Sequence, residues 1–229
     1  MSVERAAGVL LLLAPVWFNV TFMMLARSFD YPDILRRPTD EVLTRFRAGG
    51  SGLILQWWAF MLSGILFLPV AVLLPTIVRG GVLLPIAAVV GVLAAVVQVI
   101  GLLRWVYLVP YLARTHADVT ATPATREAVR VVFESAHRFL GVGVGEHLGY
   151  LFTGIWTVLI GMGMISGAAV AGWLGWVAVV VGAGLVVFST EFLGANEERG
   201  WSLAGKAVPI FYILWSLWLV VVGLMLLLR

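Results

Sequence analysis

Six long apolar runs, at residues 7–26, 53–78, 82–113, 139–166, 168–193 and 204–228, leave this chain few ways to fold. A helix of about 20 apolar residues crosses a hydrocarbon core roughly 30 Å thick, and each run has that length. Inside a bilayer every backbone N–H and C=O must bond within the protein, so a span is a helix or a strand of a closed barrel. The alternation that barrel strands require is absent from these runs. Composition agrees: 62% of the residues are hydrophobic and 12% are charged, against about 25% charged in an average soluble domain. The sequence predicts an all-α, polytopic membrane helical bundle with six transmembrane helices. Without an internal repeat or a separating linker, residues 1–229 form a single integral membrane domain.

Arginine placement predicts the orientation. The first, third and fifth connections hold eleven basic residues, from Arg27 to Lys206, while the other side holds Arg5, Arg79 and Arg229. The excess of positive charge on cytoplasmic loops puts the odd connections inside and both termini outside the cytoplasm. The same pattern explains the net charge of +3 without nucleic acid, because the basic residues flank spans where anionic lipid head groups lie. Residues 6–26 follow Arg5 but are too long for the apolar region of a signal peptide and lack a cleavage site, so they read as a retained first span.

Two connections carry amphipathic helices. In Pro38–Arg47, Thr39 is a candidate cap, Asp40 and Glu41 suit the first turn, and Val42, Leu43 and Phe46 share a face suited to lying on the membrane surface. Gly49-Gly50 then signals a stop. The second helix starts at Thr122-Pro123 and leads into the fourth span.

Polar side chains within spans are few, and they direct the search for a site. Asn19, Arg104 and Glu146 lie eight to ten residues from the basic ends of their spans, roughly 12–15 Å along the helix axis. Gln56 is slightly shallower, and His147 and Tyr150 flank Glu146 on the glycine-rich fourth span. These six residues form the candidate ligand-binding set, for a small polar solute, an ion or a lipid head group. An Arg104–Glu146 pair that fixes helix register, or an Arg104 that snorkels among interfacial aromatics, explains the same residues structurally. A lipid-directed enzyme using Glu146 or His147 and a scaffold working through its connections are the alternative functions.

Gly141, Gly145 and Gly149 recur every four residues, which favours close helix packing and local unwinding. Glycine and alanine faces on helices three to five leave room for a homo-oligomer. The absence of cysteine removes thiolate chemistry, and three histidines with one Glu134-x-x-His137 motif fall short of a di-metal bundle. Neither a metal nor a cofactor is expected.

Phe29-Asp30-Tyr31-Pro32-Asp33-Ile34-Leu35, with Pro38, Glu41-Val42-Leu43 and Gly49-Gly50, and then Gly145-Glu146-His147-Leu148-Gly149-Tyr150, resemble a bacterial family of multi-pass membrane proteins, the DUF4386 family. The resemblance implies an inner-membrane location and brings no established activity or site residues.

Overall fold

The apolar runs become six long helices in the computed structural model, which describes residues 2–79, 82–167 and 170–228. They are α1 (Val3–Phe29), α2 (Thr39–Val78), α3 (Leu84–His116), α4 (Pro123–Ser166), α5 (Gly172–Phe188) and α6 (Ser202–Leu227). All but α5 are long and apolar enough to cross a membrane. α5 has 17 residues, about 26 Å of helix, and so is shorter than the run at 168–193. Its end is set where the hydroxyls of Ser189 and Thr190 donate back to the carbonyls of Val186 and Val187. Ala168, where that run begins, and Arg229 lie outside the described residues.

The helices are apolar on both faces, as membrane spans require. On α1, Ala7, Leu11 and Leu25 are buried, while Val9, Leu13, Val16, Val20 and Met23 form an exposed stripe. Trp58, Tyr107 and Tyr111 are exposed toward one end of the bundle, and Trp173 and Trp176 are exposed on the first turns of α5. Such aromatics favour the two bilayer interfaces.

The first, third and fifth connections meet at one end. Thr39 donates to Glu134 at 2.8 Å, His116 lies 2.9 Å from Asp40, Arg36 lies 3.9 Å from Glu191, and Arg138 pairs with Glu197. Asp30, Arg37, Glu41 and Arg45 form a further network at 2.5–3.8 Å. Each pair is more than a third exposed on one or both sides, so each adds less than about 1 kcal/mol, and together they fix register.

The amphipathic segment at the start of α2 differs from the sequence expectation in two ways. Pro38, not Thr39, occupies the cap position, because the Thr39 hydroxyl is engaged with Glu134. Val42, Leu43 and Phe46 are buried against protein and do not lie on a membrane surface. Gly50, at φ 56° and ψ −150°, turns the chain from this segment into the span. The segment covers a second core in which the Trp57 and Trp105 rings stack at 4.5 Å, edged by Phe29, Phe46 and Phe133.

Thr122 caps α4 as its sequence predicts, accepting from the Thr125 N–H at 3.1 Å with Pro123 in the first turn. Thr122→Ala should lower stability by about 1 kcal/mol, readable as a lower apparent melting temperature in detergent. An unchanged value would place the start of α4 under tertiary control.

Small residues set the helix crossings. Gly161 meets Gly175, and Gly154 meets Gly182, joining α5 tightly to α4. These faces are occupied within one chain, so they are not free for a second copy.

Candidate functional site

A cavity of about 300 Å³ opens among α1, α2, α3, α4 and α6. α1 contributes Phe18, Asn19, Phe22 and Met23, the following turn Tyr31 and Pro32, and α2 Phe60 and Ser63. α3 contributes Gln98, Gly101, Leu102 and Arg104; α4 contributes Gly141, Gly145, Glu146 and Tyr150; α6 contributes Val208, Pro209, Tyr212 and Ile213.

Its polar end is built where two helices widen. Arg104–Leu108 of α3 and His137–Leu148 of α4 are π-helical, a form with a wider turn that frequently marks functional sites. The predicted unwinding of α4 at its glycines takes this form, while the widening of α3 had no comparable signal. Gly141, Gly145 and Gly149 of α4 all face α3. A Cβ on Gly141 would lie 2.6 Å from the Arg104 guanidinium, one on Gly145 would lie 3.2 Å from the Gly101 Cα, and one on Gly149 would lie 2.9 Å from Gln98. Glycine here permits a backbone approach that no other residue allows.

Arg104 is 7% exposed and donates to the Gly101 carbonyl from its own helix. Its Nε is buried with no hydrogen-bond partner among the described residues. Glu146 shares the cavity, yet no ion pair within 4.0 Å joins it to Arg104 among the described residues. The two charges therefore face one space without closing on each other. Gln98 adds an amide, whose nitrogen donates to Thr153 at 3.1 Å.

The walls are aromatic. Phe18 lies 5.4 Å from Phe60 and 5.7 Å from Tyr212, Tyr150 lies 5.2 Å from Tyr212, and Tyr31 packs between Phe22 and Phe60 at 5.4 and 5.9 Å. Five lining residues are exposed. Asn19 and Met23 lie on α1, Pro209 and Ile213 on α6, and Pro32 in the turn. Toward the termini α1 and α6 close tightly, with a Cβ on Gly8 falling 2.8 Å from Leu227. Asn19 donates to Ser216 at 3.1 Å, and the exposed lining residues Met23, Pro209 and Ile213 lie beyond that contact along the seam between the two helices.

Of the residues singled out from sequence, Asn19, Arg104, Glu146 and Tyr150 line this cavity. Gln56 and His147 do not. Gln56 accepts from Ser28 at 2.6 Å on the outer surface, and His147 Nδ1 lies 2.9 Å from the Ser189 carbonyl. The described lining thus holds one carboxylate, Glu146, and no histidine. Tyr31, Ser63, Gln98 and Tyr212 join the site without having been chosen. Gln98 was the available signal, an amide inside an apolar run that lipid cannot satisfy.

Glu134, His137 and His116 take separate partners. Glu134 accepts from Thr39, His116 faces Asp40, and His137 stacks on Phe133 at 6.0 Å. Among the described residues no group of three or more such side chains is placed to hold a metal. At the mouth of the fifth connection, burial holds the Glu191 carboxyl above its ordinary range and Arg36 opposes the shift.

The helices and their apolar surface define a multi-pass membrane protein. Residues 6–223 match the family described as Domain of unknown function (DUF4386), and the chain belongs to that family. No curated protein and no solved structure matches the chain.

Proposed function

We propose that this protein spans a bacterial inner membrane six times, with both termini outside the cytoplasm, and binds a small amphipathic molecule drawn from the bilayer. The observation that carries the reading is that Asn19 and Met23 on α1 and Pro209 and Ile213 on α6 are exposed and line the same aromatic cavity as Arg104 and Glu146. The cavity volume is at the small end of ligand pockets, roughly 300–1,000 Å³. Its chemistry suits a short apolar body lying against Phe18, Phe60 and Tyr212 and a polar head that gives and accepts hydrogen bonds. A head of that kind would lie between the Arg104 and Glu146 side chains, which share the cavity without pairing. Binding is the core of the reading, and movement of the ligand between the cavity and the connection end is its extension.

Photolabelling tests it. A medium-chain alcohol carrying a diazirine should form adducts concentrated on the Met23 and Ile213 peptides of the membrane-embedded protein. Ile213→Trp, which fills the mouth, should cut that labelling several-fold. Equal labelling at the lipid-facing residues Val16 and Leu224, unaffected by the tryptophan, would show that the seam is only lipid-facing surface.

A further inference from the structure

A second concavity lies at the connection end, away from the aromatic cavity and lined by different residues. Its volume is about 490 Å³, and three helix surfaces build it. Asp40, Leu43 and Arg47 recur at helical spacing on the amphipathic segment of α2, Ala113 and His116 come from the end of α3, and Arg126 and Arg130 are one turn apart on α4. Leu43 and Ala113 are buried at its floor, while Arg47 and Arg126 are exposed at its rim.

The ion pairs divide the arginines into two kinds. Arg130 is committed, because its Nε and a terminal nitrogen donate to the two Asp40 oxygens at 2.8 and 2.5 Å and its other nitrogen reaches Glu127 at 3.1 Å. Asp40 also faces His116 at 2.9 Å, so it ties all three surfaces together. Arg47 and Arg126 take no ion-pair partner within 4.0 Å among the described residues. Two free guanidinium groups therefore point at a preformed, braced cleft. A planar fork of donors matches phosphate oxygens, which is why arginine predominates in phosphate recognition. The cleft also lies close to an interface. Exposed Tyr107 and Tyr111 precede His116 on the same helix by nine and five residues, and tyrosine at such positions marks head-group depth.

We infer that this cleft binds a phosphate-bearing anion through Arg47 and Arg126, with Asp40 and Arg130 as the brace that holds it open. The phosphate can be that of a phospholipid head group or of a free phosphate compound, and the test separates the two.

The full chain in neutral detergent and phosphate-free buffer is titrated calorimetrically with dioctanoyl phosphatidic acid, with inorganic phosphate, and with dioctanoylglycerol as the phosphate-free control. Binding of the phosphatidic acid that inorganic phosphate does not displace assigns the cleft to a lipid head group. Binding of inorganic phosphate, alone or in competition with the lipid, assigns it to free phosphate compounds as well. In either case the double variant Arg47→Gln/Arg126→Gln should weaken binding about tenfold or more, since one charge-assisted hydrogen bond is worth roughly that factor. Both side chains are exposed and outside the ion-pair network, so the variant should keep the wild-type melting temperature. Arg47→Lys/Arg126→Lys should fall between the two, retaining charge without the fork. The inference is overturned if no phosphate-bearing probe binds above dioctanoylglycerol, or if the glutamine variant binds as the wild type does.

Discussion

Replacing Gly101 with leucine is expected to destabilise the protein by about 3 kcal/mol or more, at the upper end of overpacking effects. The reason is that its neighbours cannot move aside. A Cβ at Gly101 would fall 2.6 Å from the Gly145 Cα and 2.9 Å from the Leu140 carbonyl oxygen, and both are backbone atoms of α4. Even alanine must push α3 and α4 apart. Gly52 makes the control, because a Cβ there meets nothing within 4 Å. Gly52→Ala should be neutral or stabilising by up to about 1 kcal/mol through helix propensity. Thermal stability of the detergent-solubilised variants, followed by the monodisperse peak that survives heating, reads both. Gly101→Ala as stable as Gly52→Ala would mean that the α3–α4 crossing is not closely packed. Because Arg104 and Glu146 sit on either side of this crossing, a variant that folds at lower temperature should also show less labelling of the cavity.

The crossing shows what sequence could and could not convey. The four-residue spacing of Gly141, Gly145 and Gly149 marked a close helix contact, and all three meet α3. Arginine bias grouped the odd connections, and pairs such as Asp40–His116 and Arg138–Glu197 bring those connections together. Position along the helix was partly legible, since Asn19, Arg104 and Glu146, counted to similar distances from their helix ends, line one cavity. Direction around the helix was not. Adjacent residues on a helix point about 100° apart, so Glu146 faces the cavity while His147 turns to the Ser189 carbonyl of the segment following α5. Gln56 was counted only slightly shallower than Asn19, yet it accepts from Ser28, well beyond Asn19 toward the end of α1, on the outside. The π-helical stretches add a further rotation that no fixed period describes. Gln98, Gly101 and Arg104 recur every three residues on α3 and all line the cavity, so that stripe was readable. Tyr31 and Tyr212 were not, because an aromatic residue in or beside an apolar run looks the same whether it packs a core or walls a cavity.

Removing both cavity charges, buried Arg104 and half-buried Glu146, with Arg104→Met/Glu146→Gln, is expected to stabilise the fold by about 1–3 kcal/mol and to abolish capture of a polar-headed ligand. Replacing a buried ion pair with groups of similar volume is often neutral or stabilising, because desolvation costs more than an imperfect pairing returns. Here the pairing is imperfect: the two groups share a cavity with no contact within 4.0 Å among the described residues, and Arg104 Nε is unpartnered. Methionine can fill the volume over Gly141 that the arginine stem and guanidinium occupy. The single variant Glu146→Gln should behave oppositely and destabilise, because it leaves Arg104 buried without the carboxylate that shares its space. The two substitutions are therefore strongly non-additive. A pin that merely fixed helix register would give the reverse sign, with the double variant less stable than the wild type. Melting temperature and diazirine labelling, measured on the same three proteins, distinguish the outcomes. A rise in stability with loss of labelling would mean that these charges are kept against the interest of the fold, as expected of residues retained for a ligand.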